Sequence, residues 1–131
     1  MTQSRSKTVF TPTEATQTLP LVRKIVADLL VKGRRLREIE KLEAMLVTQE
    51  IEDELSLLNQ DMEGHHQELT QIGCSYRDWN FELGLVDFPS VIEGQDVLLC
   101  WKSDEPSLIH YHGLTDGFRG RKPIPPSLLG E

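Results

Sequence analysis

His110 and His112 stand two apart in the run Ser107-Leu108-Ile109-His110-Tyr111-His112. Side chains alternate along a strand, so both imidazoles project from one face. That spacing suits two rings reaching one divalent metal ion. A carboxylate from Glu105 or Asp87 completes a two-His-one-carboxylate set, which takes Fe, Mn or Zn. His-x-His also arises from ordinary strand packing, with the rings hydrogen-bonded on a half-exposed face. Arg119 and Arg121 follow a glycine in Gly117-Phe118-Arg119-Gly120-Arg121. A planar guanidinium there can hold a phosphate or carboxylate through two parallel bonds. The competing expectation is an internal pair between Arg121 and Asp87 or Glu105, which ties the tail to the sheet.

Other constellations are weaker. Glu63 and His66 are three apart and share a helix face. Di-iron bundles use that unit twice, and only one copy is present. His65 falls inside an apolar seam, where a histidine ordinarily fixes register or bonds across a helix pair. Lys32, Arg34, Arg35, Arg37 and Lys41 form a basic cluster. A nucleic-acid role is not expected of it, because no aromatics interleave with it and an acidic segment follows in the same chain. Cys100 beside Trp101 is expected to be buried in a central strand rather than to act as a nucleophile. No nucleophile elbow, phosphate-binding loop or dinucleotide fingerprint is present.

The elements that must position these residues divide the chain. Thr11-Pro12-Thr13-Glu14 is a capping-box start with proline at the first helical position. Pro20 predicts a break near Thr18 and a restart that Thr18 caps. From there Val22, Ile25, Val26, Leu29, Leu36 and Ile39 form one stripe, with Gly33 weakening it or admitting a close neighbour. Ile51, Leu55, Leu58, Met62, His65, Leu69 and Ile72 recur at alternating spacings of four and three, a heptad seam that Gly73 ends. The two stripes predict an antiparallel hairpin turning around Leu46–Gln49. Strand-like runs follow at 96–102 and 107–112, joined by the turn composition Ser103-Asp104-Glu105-Pro106. Gly84–Pro89 predicts a third, short strand ended by its proline. The tail after Gly117 reads as irregular. The fold class is α+β: a long antiparallel helical hairpin (12–72) with a small antiparallel β-sheet (74–123) at one end, in a single domain of 1–131.

The second half resembles a known family. Gly84-Leu85-Val86-Asp87-Phe88-Pro89, then Leu99-Cys100-Trp101, Glu105-Pro106, Tyr111-His112 and Gly117-Phe118-x-Gly120-Arg121-x-Pro123 are similar to the bacterial family catalogued as domain of unknown function 2203. Phe10-Thr11-x-x-Glu14-Ala15 and Leu19-Pro20 fit its opening. Asp104 stands where that pattern has glycine, and Tyr111 where it has tryptophan. The family is uncharacterised, so the resemblance implies no activity. It does single out Asp87, Glu105, His112 and Arg121.

Of the 131 residues 27% are charged, with a net charge of −7. The total hides an asymmetry: +5 over 1–42, −8 over 43–72 and −4 over 73–131. The first two segments are the paired helices, so the basic cluster has acidic partners within its own chain. No apolar run reaches the roughly 20 residues of a membrane span, and Met1–Phe10 shows no export signal. Two distant cysteines, Cys74 and Cys100, fit reduced thiols in the cytoplasm. Two functions follow. One is a helical interaction module that self-associates into a homo-oligomer through its helices. The other is a small metal- or anion-binding domain, in its sharpest form a metal-assisted hydrolase, with its site on the β-hairpin.

Overall fold

The computed structural model describes residues 9–129. Residues 1–8 and 130–131 lie outside it, and with them most of the stretch read as lacking an export signal. Helix α1 spans Pro12–Met45 and α2 spans Gln49–Ile72. The Thr11 hydroxyl accepts from the Glu14 backbone N–H at 3.1 Å, and Glu14 Oε1 accepts from the Thr11 N–H at 2.9 Å. The expected capping box is therefore closed on both sides.

The expected break at Pro20 does not occur: α1 runs through it without interruption. Thr18 caps nothing; its hydroxyl donates to the Ala15 carbonyl. A proline inside a helix costs about 3 kcal/mol. Burial of Ala15, Leu19 and Val22 on the opposite side offsets it, since a buried Leu or Val contributes about 1.5–3 kcal/mol. Pro20 and Thr16 are both exposed, so the carbonyl that loses its partner faces water.

Three residues, 46–48, turn the chain. Thr48 caps α2 by accepting from the Ile51 N–H at 3.2 Å, and Gly73 ends it in the left-handed region at φ 111°. Charges cross between the helices at Lys32–Asp61 (3.4 Å) and at a two-bond Arg35–Glu54 pair (2.7 and 3.1 Å). Arg34 and Arg37 instead donate to the carbonyls of Phe81, Glu82 and Trp79. Gly33 admits the Phe81 ring directly against α1.

Strands β1 (Ser75–Tyr76), β2 (Leu85–Ile92), β3 (Gln95–Lys102), β4 (His110–Gly113) and β5 (Lys122–Pro123) form one antiparallel meander in that order. Glu93 and Gly94, both at positive φ (52° and 78°), make the two-residue turn between β2 and β3. Pro89 does not end its strand; it sits inside β2 opposite Leu98. Its carbonyl accepts from the Phe10 N–H at 2.7 Å, away from β3. The missing N–H thus falls on the side where β1 has already stopped, and no sheet bond is lost. The β3–β4 connection runs to Ile109 rather than closing at Pro106, which shortens the second run to 110–113. The tail is not irregular throughout. It makes a 3₁₀ turn at Phe118–Gly120, then β5, then a short helix α3 at Pro126–Leu129, and it buries Ile124 in the core.

Val86, Phe88, Ile92, Val97, Leu99 and Trp101 share the inner face of the sheet and pack with Leu19–Leu29 of α1 and with Met62 and Leu69 of α2. The half of the hairpin near the turn has a separate small cluster, Leu36, Ile39 and Leu58 with Ile51 and Leu55 at its margin. Among the described residues, no helix is long and apolar enough to cross a membrane.

Candidate functional site

Alternation along β2 and β3 sends Asp87 and Cys100, which are cross-strand partners, to the face opposite the core. On β4, Tyr111 pairs with Leu99 on the inner side, so His110 and His112 both project to the outer one. This outer face is not bare. Leu114, Thr115, Gly117 and Phe118 lie along it, and together with Arg77, Leu85 and Leu98 they line a half-open cavity of about 270 Å³. Asp87, Cys100 and His112 lie at its floor, all three buried.

One ligand-capable atom from each of Asp87, Cys100 and His112 lies within 4.8 Å of the other two. His112 Nε2 is 3.1 Å from Asp87 Oδ1, and the other Asp87 oxygen accepts from Arg77 Nε at 3.1 Å. His112 Nδ1 lies 2.8 Å from the Gly113 carbonyl. A carbonyl only accepts, so the Nδ1 proton points there. In neutral imidazole this leaves a lone pair on Nε2 facing a carboxylate oxygen. Two acceptors meet at 3.1 Å, a contact that requires a positive species between them, a proton or a metal ion. Burial, and secondly the Asp87 charge, push the Cys100 thiol up to about 12. Neither ring nitrogen of His112 is directed to it, because both are engaged elsewhere. Cys100 is thus a protonated thiol at neutral pH and not an activated nucleophile.

Glu105, His110 and Arg121 gather beside this group. Arg121 donates from one terminal nitrogen to Glu105 Oε1 at 2.6 Å and to the Cys100 carbonyl at 3.2 Å, and the same nitrogen lies 3.1 Å from His110 Nδ1. Glu105 Oε1 also accepts from the Lys102 backbone N–H at 2.8 Å, and its Oε2 lies 3.4 Å from His110. Burial works to raise the Glu105 carboxyl, but the bonds from Arg121 and Lys102 and the charges of Arg121 and His110 outweigh it and hold it below its usual range. The main-chain carbonyl of Glu105 is fixed by Trp101 Nε1 at 3.0 Å and by Arg23 of α1 at 3.4 Å. Arg121 stacks on Phe118 with 4.9 Å between guanidinium carbon and ring centre. Arg119 is exposed and takes no part.

The sequence profile of a family described as "Uncharacterized conserved protein (DUF2203)" matches residues 8–124. The chain belongs to that family. No curated protein and no solved structure matches it. The DUF2203 match spans both clusters.

The residues expected to converge therefore separate into two adjoining groups: Asp87 with His112, and Glu105 with His110 and Arg121. The internal Arg121–Glu105 pair, weighed against anion binding, is present. Cys100 and Arg77 were missed as neighbours of Asp87 in this DUF2203 chain. The signal for Cys100 was the Glu93-Gly94 pair: a two-residue turn there sets Ile92 against Gln95, and by register Asp87 against Cys100. Arg77 had no comparable signal, because β1 is two residues long.

Proposed function

We propose that the protein is a metal-binding domain whose centre is Asp87, Cys100 and His112, and that it takes a zinc-class divalent transition metal. One observation carries the reading: three buried donors of the O, S and N types come within 4.8 Å of one another at the floor of a cavity. Ligands at about 2.0–2.3 Å from one tetrahedral ion stand roughly 3.3–3.8 Å apart, and the 3.1 Å His112–Asp87 separation is close to that. The outer partners have the form metal ligands require. His112 is oriented by the Gly113 carbonyl, and Asp87 by Arg77. A metal binds the thiolate, so loading releases the Cys100 proton. Three protein ligands leave a fourth position toward the cavity, the arrangement a metal-assisted hydrolase uses. Free buried cysteines fit a reducing compartment such as the cytoplasm.

Metal content of untagged protein, dialysed against zinc and then against buffer, is the test. The expected result is close to one zinc per chain, falling to background in Cys100→Ala and His112→Gln variants whose near-ultraviolet circular dichroism shows them folded. Wild type at background level sinks the proposal.

A second reading, self-association through the helices, is favoured by the end of the hairpin. Leu42, Met45, Leu46 and Val47 are exposed around the turn, Met45 at 84%, over a cluster only two helices thick. Contiguous apolar surface of this kind ordinarily marks a contact. Sedimentation giving a monomer at the highest soluble concentration refutes it.

A further inference from the structure

We infer that the cavity over the Asp87–Cys100–His112 group binds a small organic carboxylate with an apolar body, held by Arg77 and by the metal's fourth position. The inference rests on the metal reading above. Its first support is charge. A divalent ion with one carboxylate, one thiolate and a neutral imidazole sums to zero. Arg77 adds one positive charge beside it, while the neighbouring Arg121 is cancelled by Glu105. Among the residues that line the cavity Arg77 is thus the one charge left unbalanced, the Asp116 carboxylate of the covering loop being turned to the Gly113 N–H, and a monoanion balances it.

The second support is the free end of Arg77. Its Nε is committed to Asp87 Oδ2. The side chain is 52% exposed, and its two terminal nitrogens have no partner among the described residues. A guanidinium fixed at one edge and open at the other presents directed donors to a carboxylate. The third support is the wall chemistry. Leu85, Leu98, Leu114 and Phe118 supply apolar surface, and Thr115 is a neutral hydroxyl at the rim. A volume of about 270 Å³ lies just below the range that drug-sized ligands occupy. The occupant is therefore small, with an anionic head toward Arg77 and hydrocarbon toward the leucines. Inorganic phosphate shares the head chemistry and lacks the body.

Cobalt(II)-loaded protein separates the possibilities. Thiolate ligation gives a charge-transfer band, and a change at the fourth position alters the visible d–d bands. Benzoate, acetate and inorganic phosphate are titrated in turn. The expected result is that benzoate changes the d–d bands at lower concentration than acetate or phosphate. In Arg77→Gln, compared at equal charge-transfer intensity, benzoate binds about ten- to a hundredfold more weakly, the worth of a charge-assisted hydrogen bond. Leu114→Trp, which adds bulk to the cavity wall, weakens benzoate more than acetate. Absence of the charge-transfer band in wild type overturns the metal reading and this inference with it. A band that no anion perturbs, or equal benzoate affinity in Arg77→Gln, overturns this inference alone. Phosphate binding as tightly as benzoate overturns the organic carboxylate.

Discussion

Replacement of Glu105 by glutamine removes one charge and almost no volume from the cluster of Glu105, His110 and Arg121. Its partner Arg121 is 13% exposed and Glu105 16%, so this pair is neither a solvated surface bridge nor fully buried. Exposed pairs contribute about 0–1 kcal/mol. Stranding one partner of a buried pair costs about 3–5 kcal/mol. Glutamine keeps an oxygen for the Lys102 N–H and a weaker acceptor for Arg121, so the expected loss is about 2–3 kcal/mol near neutral pH. The pH dependence fixes the cause. The Glu105 carboxyl is held below its usual value in the folded protein, with Arg121 and Lys102 prevailing over burial. A depressed carboxyl stabilises the fold fully above its unfolded value of 4.5, and that stability is lost as pH falls through the lower folded value. Below that point wild-type Glu105 is protonated and resembles the glutamine. Urea unfolding of both proteins should therefore give a gap of about 2–3 kcal/mol at neutral pH. The gap should shrink progressively as pH falls below the unfolded value and vanish once the folded carboxyl is protonated. A gap unchanged at low pH means that the loss is steric and that the charge reasoning is wrong.

Other outcomes follow from single contacts. Gly33→Ala places a methyl carbon 2.3–2.5 Å from three atoms of the Phe81 ring. Overpacking costs about 1–3 kcal/mol against about 1 kcal/mol gained in helix propensity, so thermal melting should fall, and a rise would refute the contact. Pro20→Ala should raise stability by about 2 kcal/mol, the helix penalty less the entropy that alanine restores to the unfolded chain; chemical denaturation showing a loss would mean that Pro20 is not strained. With Cys74 and Cys100 both pushed up to about 12, chiefly by burial, metal-free native protein should show no fast-reacting thiol toward a disulfide reagent at mildly alkaline pH, and both should react on unfolding. Rapid labelling of native chains would contradict the burial of both.

What could be read from the chain was what local chemistry decides. The Thr11–Glu14 cap depends on four consecutive residues, and the 51–72 seam on a repeat within one helix, so both were legible. The Pro20 break and the Pro89 strand end are correct local rules that distant burial overrode. Leu19 and Val22 keep α1 helical through Pro20 by burial in a core shared with strands more than fifty residues away, and Pro89 is tolerated only because β1 stops short of it. The pairing of His112 with Asp87 needs two strand registers at once. The first is encoded in Glu93-Gly94. The second depends on how the 103–109 connection lies, and Arg23 of α1 fixes that by donating to the carbonyls of Glu105 and Pro106. Within the loop Glu105 and the buried Leu108 help to set it, but their partners Arg121 and the core lie elsewhere in the chain.

The two clusters on the outer face meet at Cys100, through different atoms. Its thiol lies with Asp87 and His112, while its carbonyl accepts from Arg121. Arg121 also holds Glu105, and the Glu105 main chain is held by Trp101 of β3 and Arg23 of α1. A path of direct bonds thus runs from the inner helix around the edge of the sheet to the backbone beneath the proposed centre. If the centre is the one proposed, Glu105 and Arg121 act on it through the backbone, because Arg121 bonds both the Cys100 carbonyl and Glu105. The four positions singled out by family resemblance then fall into two pairs. On the proposed reading Asp87 and His112 would supply donors, whereas Glu105 and Arg121 would position a third. Glu105→Gln should consequently weaken metal retention without removing a donor atom, whereas Arg119, exposed and outside both clusters, should have no such effect. Equal zinc retention in folded Glu105→Gln and wild type would separate the two clusters and leave the second with a purely architectural role.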